Sequence, residues 1–263
     1  MDLDLLKRAG LDRYDLNARL RPALFVLLPA LTLVTFWLPA ARTFMGGIVT
    51  LLSACGLTYL LAQIARRRGR ARERALGDRA GRRHSARLLT HADPTIAAQT
   101  KARYHAYLRA SGGLELSTPE EEAQDASLAY GRARSAVDWL LEHTRPSAKA
   151  SLLFDDNIAY GFQRNLYGMK PLGVAIAVLC LVANTGLLWL RPLDDTQFWT
   201  AALLECGIAA LIFLWLSQVS AGSVEDASLA YAQKLFAQCE RIAEAVDEQK
   251  RQRPQKDIRA TAS

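Results

Sequence analysis

Residues 171–219 read PLGVAIAVLCLVANTGLLWL RPLDDTQF WTAALLECGIAALIFLWLSQV: two apolar runs around a short polar turn, with Glu205 the only charged residue inside either run. Each run approaches the roughly 20 helical residues needed to cross a bilayer. A helix that is apolar on every side cannot be covered by a small soluble domain. Lipid accepts it, because helical backbone groups pair internally. The stretch therefore predicts a membrane hairpin, Pro171 to Leu190 and Trp199 to Val219, turning at Arg191-Pro192-Leu193-Asp194-Asp195.

The same pattern occurs upstream, where Ala23 to Ala40 and Met45 to Ala65 are joined by Leu38-Pro39-Ala40-Ala41-Arg42. The expected fold is an all-α membrane protein: four transmembrane helices as two hairpins, a helical cytoplasmic insert and a C-terminal cytoplasmic helix. The corresponding organisation is an N-terminal arm (1–22), hairpin 1 (23–65), a helical domain (66–170), hairpin 2 (171–219) and a helical tail (220–263).

Lys and Arg near span ends are retained in the cytoplasm. The two short turns hold only Arg42 and Arg191 of the 33 basic residues, which puts the insert and both termini on the cytoplasmic side of a bacterial inner membrane. A cleavable signal peptide fits poorly, since Met1 to Arg21 carries Asp2, Asp4, Asp12 and Asp15 and a second apolar run follows the first. Cys55, Cys180 and Cys206 lie in apolar runs and Cys239 in the tail, while His84, His91, His105 and His143 are scattered. These spacings build neither a disulfide framework nor a metal site. No phosphate loop, nucleophile elbow or zincin helix is present, so neither an enzyme nor a cofactor is expected.

The cytoplasmic block is parsed by its caps. Asp93-Pro94 predicts a helix start running through Tyr104 to about Ala110 and stopping at Gly112-Gly113. Thr118-Pro119-Glu120-Glu121 is a capping box opening a helix to about His143. A further helix is expected from Ala148 to Gly168, leading into the third span, and Ser223-Val224-Glu225-Asp226 opens a tail helix. Residues Gln249 to Ser263 are polar and expected to be disordered. The hexapeptide Asp-Ala-Ser-Leu-Ala-Tyr occurs at Asp125 to Tyr130 and again at Asp226 to Tyr231. It reads either as chance similarity of alanine-rich helices or as a duplicated hairpin-plus-helix unit.

Between Arg66 and Arg87 stand ten arginines against only Glu73 and Asp78, a local excess of +8 in a chain whose net charge is +7. One reading is a stop-transfer anchor that touches anionic membrane lipid. A second is a phosphate site for a cyclic nucleotide or short oligonucleotide, built on Arg66, Arg67, Arg68, Arg70, Arg72, Arg74, Arg82 and Arg83, because a guanidinium fork binds phosphate bidentately. Duplex recognition fits less well, with no recognition-helix motif or paired aromatic platform beside the charge.

An ionisable side chain in a span marks a functional site by default. Glu205 lies six residues after Trp199, about 9 Å from the outer boundary at a rise of 1.5 Å per residue. Equal depths in the other spans fall near Thr35, Thr50 and Asn184. The four side chains could line a pore as a ring in a homo-oligomer, or Glu205 could bond Asn184 inside a single bundle. The aromatic and basic segment Phe154 to Pro171 reads as a helix lying at headgroup level, or as a strut passing force to the pore helices.

The layout of two spans, a helical insert of roughly 100 residues, two spans and a helical tail, with Tyr160-Gly161-Phe162-Gln163-Arg164-Asn165-Leu166 entering span three, resembles bacterial four-transmembrane effectors of nucleotidyltransferase-linked anti-phage systems of the CBASS and Hailong type. That resemblance implies an oligomeric pore that depolarises the infected cell under control of a nucleotide made by a partner nucleotidyltransferase. The functional expectation is a nucleotide-regulated ion channel. The alternative is a non-conducting membrane scaffold that recruits a cytosolic partner.

Overall fold

The computed structural model describes residues 13–38, 40, 44–76, 84–148 and 152–260, and among these all regular structure is helical. The helices are α1 (Asp15–Trp37), whose first turns, Asp15–Leu20, are π-wound, α2 (Phe44–Leu76), α3 (His84–Leu89), α4 (Ala98–Gly112), α5 (Pro119–Gln124), α6 (Ala126–Ala148), α7 (Leu152–Leu190), α8 (Asp195–Ser217) and α9 (Ala221–Ala260). Among the described residues, α1, α7 and α8 are long and apolar enough to cross a membrane. The second apolar run, Met45 to Ala65, lies within α2, most of whose first-half side chains are outside the described residues.

Two compact units form, Met1–Gly77 with Ile158–Glu225 and Asp78–Asn157 with Asp226–Ser263, and α7 and α9 contribute residues to both. In the first unit, Ala23, Val26 and Leu27 of α1 pack with Leu61 and Ala65 of α2, Met169 of α7, and Trp215 and Val219. The small Ala23 and Ala65 let these helices approach closely, the kind of packing that associates helices in lipid. Gly173 shows this directly: a Cβ there would stand 2.6 Å from the Trp215 ring. Other apolar side chains face outward, including Leu179, Val182, Leu203 and Phe213, each about two-thirds exposed or more, on helices long and apolar enough to cross a membrane.

The second unit has an ordinary helical core of Leu88, Leu89, Leu108, Leu140, Leu235 and Phe236, with Tyr104 stacked on Phe236 at 5.8 Å. Its helix starts depart from several expectations. Asp93 does not cap α4, which begins at Ala98. Asp93 instead accepts from the Thr95 amide and pairs with Arg87, while the Lys101 ammonium is drawn onto the carbonyls of Thr90 and Asp93, folding the loop around a buried cation. The Thr118 capping box forms as expected. The helix it opens stops at Gln124, because Asp125 leaves helical geometry and its carboxylate accepts from the Leu128 amide to start α6. Helix α6 runs through Pro146 to Ala148, past the expected stop. The tail helix begins at Ala221, where the Ser220 hydroxyl accepts from the Ser223 amide, and continues through Ala260, so a disordered tail from Gln249 is not what the structure describes.

The two Asp-Ala-Ser-Leu-Ala-Tyr copies occupy unlike positions. The first straddles a helix start, with Asp125 as cap and Ala129 buried; the second lies inside α9, with Ala230 exposed. Different faces are buried, as in chance similarity.

Candidate functional site

The one carboxylate inside the apolar runs is held by a built polar cluster. Trp37 closes α1, and its indole N–H donates to Asn184 Oδ1 at 2.8 Å. Because an indole N–H can only donate, the Asn184 oxygen must face it, leaving the amide N–H groups for other acceptors. They go to the Ala201 carbonyl at 3.0 Å and to Glu205 Oε2 at 2.6 Å. The Thr185 hydroxyl lies 2.5 Å from Glu205 Oε1 and 3.0 Å from the Leu181 carbonyl, one proton serving two acceptors. Asn184 is fully buried, Glu205 half-buried and Thr185 exposed.

Of the four residues expected in one layer, the structure joins Glu205 and Asn184. The Thr35 hydroxyl donates to the Leu31 and Thr32 carbonyls of its own helix, and the Thr50 side chain is outside the described residues. The members that depth counting missed are Trp37 and Thr185. Trp37 had a legible signal, an indole donor ending a span; Thr185 had only its adjacency to Asn184.

The arginine run proves to be largely helical. Arg66, Arg67, Arg68, Arg70, Arg72 and Arg74 extend α2 beyond its apolar half, and Arg82 and Arg83 lie outside the described residues. Helical geometry sorts the six. Arg66, Gly69 and Glu73, spaced i, i+3, i+7, share the packed face, while Arg67, Arg70 and Arg74 repeat the same spacing on an exposed one. Arg66 sits among like charges: Arg19 first, then Arg70 and partial burial, hold its guanidinium below the ordinary pKa, against the opposing pull of Asp15. Arg72 lies over the Tyr167 ring at 6.0 Å.

The packed face of α2 meets α7 at very close range. A Cβ on Gly168 would collide with the Gly69 backbone, and one on Gly69 would stand 2.5 Å from Asn165 Oδ1. Asn165 is fully buried and donates to the Ala18 carbonyl at 2.7 Å, and Gly161 makes room for the Tyr14 hydroxyl. Glu73 ties the crossing further, accepting from Tyr160 at 2.5 Å and pairing with Arg164 at 3.3 Å. Burial and the Glu73 carboxylate together push the Tyr160 phenol well above its ordinary pKa, so it stays a donor. From Ile158 onward the segment expected at headgroup level is a partly buried stretch of α7 that packs against α1 and α2. Gly161, Asn165 and Gly168, spaced i, i+4, i+7, form the buried stripe of this stretch, its two glycines allowing the close approach.

The second unit holds a cleft of about 530 Å³ lined by Arg109, Leu114, Glu115, Thr118, Glu121 and Arg132. Its two arginines face two glutamates, and Arg132 is paired with Glu121 at 2.8 Å, so the cleft has no net preference for an anion. Comparison with family models, curated proteins and solved structures gives no match.

Proposed function

We propose that this chain spans the bacterial inner membrane four times with both termini cytoplasmic, and assembles as a homo-oligomeric ion channel regulated by a phosphate-bearing nucleotide ligand. The observation that carries the pore is the half-buried Glu205 with exposed Thr185 on the outside of an otherwise apolar hairpin. Asn184 and Thr185 satisfy the carboxylate from one side, and in this reading a second copy or a water-filled path covers the part left at the surface, where an ionisable group in hydrocarbon is costly. A ring of such carboxylates favours cations.

The arginine row Arg67, Arg70 and Arg74 supplies the ligand contact, and the Gly69–Gly168 crossing supplies the coupling. A phosphate pulling on α2 acts on α7, which carries Asn184 and Thr185, the two donors to Glu205. A ligand that binds one arrangement of this crossing better shifts the gate by its differential affinity. The resemblance to anti-phage effectors adds the setting, depolarisation in response to a nucleotidyltransferase product.

Ion flux from liposomes holding the purified chain tests this. Flux should respond to cyclic or short linear oligonucleotides, and Glu205→Gln should lower cation conductance about tenfold while the protein stays folded. Charge reversal at Arg67, Arg70 and Arg74 should remove the nucleotide response alone, with topology checked in parallel. No flux from folded, inserted protein would instead favour the scaffold.

A further inference from the structure

Arg72, exposed but outside the row of Arg67, Arg70 and Arg74, borders a second, smaller cleft. The cleft measures about 390 Å³ and is lined by Arg72, Tyr167, Lys170, Pro171, Val174 and Leu216. Its composition changes with depth. Arg72 and Lys170 stand at the end of the apolar runs, and Pro171, Val174 and Leu216 continue into them. Lys170 donates to the Val219 carbonyl at 2.8 Å and to the Leu216 carbonyl at 3.2 Å, which fixes its ammonium at the end of α8 and leaves the third N–H for another acceptor. The Arg72 guanidinium is exposed and held over Tyr167. The nearest acid in sequence, Glu73, is committed to Tyr160 and Arg164. Pro171 has no N–H, so the Tyr167 carbonyl lacks its usual partner four residues on and can accept from a hydroxyl.

Two cations, a backbone carbonyl freed by Pro171 and the apolar Val174 and Leu216 in one cleft match one ligand chemistry: a phosphodiester with a hydroxylated headgroup and an acyl chain. We infer that the cleft of Arg72, Tyr167 and Lys170 is a binding site for a single anionic glycerophospholipid of the inner leaflet, phosphate between Arg72 and Lys170 and acyl chain along Val174 and Leu216. This goes beyond the pore reading and rests only on the proposed membrane orientation: a non-conducting protein with the same helices would hold the lipid equally. Because the cleft is bounded by α2, α7 and α8, an occupied site ties the end of the basic helix to the hairpin that carries Glu205.

Native mass spectrometry of the full chain in mild detergent, titrated with phosphatidylglycerol and with phosphatidylcholine, tests the site. Phosphatidylglycerol should be retained at least tenfold better than phosphatidylcholine. Arg72→Gln should cut that retention about tenfold, while Arg68→Gln, an exposed arginine one turn earlier, should change it less than twofold. Val174→Trp fills the apolar wall without touching charge and should cut retention as far as Arg72→Gln does. Millimolar inorganic phosphate should leave the bound lipid in place. Equal losses from Arg68→Gln and Arg72→Gln would reduce the effect to diffuse surface charge and overturn the site. Unchanged retention in Val174→Trp, or displacement by inorganic phosphate, would make the cleft a free-anion site and overturn the lipid assignment.

Discussion

Two glycines in α7 differ in what a methyl group would meet, and the difference sets the cost of the same mutation. Gly168→Ala drives a Cβ into the backbone of Gly69, where nothing flexible can yield; Gly186→Ala meets nothing within 4 Å. Overpacking costs about 1–3 kcal/mol, whereas a helical glycine with room for a Cβ gains up to about 1 kcal/mol on becoming alanine. Thermal melting in detergent should show Gly168→Ala lowered by several degrees and Gly186→Ala unchanged or raised. At the same scale, His105 gives a pH dependence. Burial first, then the His91, Lys101 and Arg109 charges, lower its pKa despite its bond to the Leu89 carbonyl. A lowered pKa means that the unfolded chain takes up the proton first. The stability is fully present above the ordinary 6.5 and is lost as pH falls from there toward the folded value. Asp93 acts in a lower window. Burial opposes its ionisation, but Thr95, Arg87 and Lys101 outweigh that and depress its pKa, so its contribution is lost below about the ordinary 3.8. Melting temperature should fall between pH 7 and 5 in the wild type, and His105→Gln should flatten that slope without altering the steeper loss in stronger acid.

Among the elements, α5 depends most visibly on local chemistry. Six residues are too few to hold a helix by propensity, and the box between Thr118 and Glu121 satisfies two amide donors that would otherwise be orphaned. Thr118→Ala should cost about 1 kcal/mol. Hydrogen exchange at the α5 amides should rise while that of α7 stays unchanged; equal rises would mean the cap matters globally. Such caps are legible because donor and acceptor lie three residues apart. The start of α4 was not legible for the opposite reason. Asp93 looks like a cap in its neighbourhood, but Lys101 and Arg87 recruit the loop, and Lys101 is buried only once α3, α4 and their connecting loop have folded together. The split between α5 and α6 belongs to the same class, since Asp125 can either continue a helix or cap the next.

For the whole molecule, the distribution of charge makes the strongest statement. Basic residues crowd the arm, the insert and the tail, and the two turns between apolar runs hold one arginine each. Alkaline phosphatase fused after Ser263 or after Gly77 should therefore be inactive, and fused in the turn at Leu193 it should be active outside the cytoplasm. Activity at Gly77 would place the arginine helix on the wrong side for a nucleotide and end that reading. In the pore reading, a second copy covers the half-buried Glu205. Native mass spectrometry should resolve a discrete oligomer, and one that persists in Glu205→Gln would show that apolar packing, not the carboxylate, holds the copies together.

What the sequence determined by itself is whatever depends on neighbours along the chain: helical class, the apolar runs, the capping box, the local excess of arginine and the presence of one carboxylate where carboxylates are costly. Tertiary structure alone decided the partners. Trp37 and Asn184 are 147 positions apart, as are Ala18 and Asn165. Gly69 and Gly168 touch only because α2 continues as a helix past its apolar half. Periodicity can tell which face of a helix is small or charged, but not which helix will lie against it, because that choice rests on the summed fit of several helices at once. The roles of Thr185, Arg72 and Lys170 became readable only when the helices were in place.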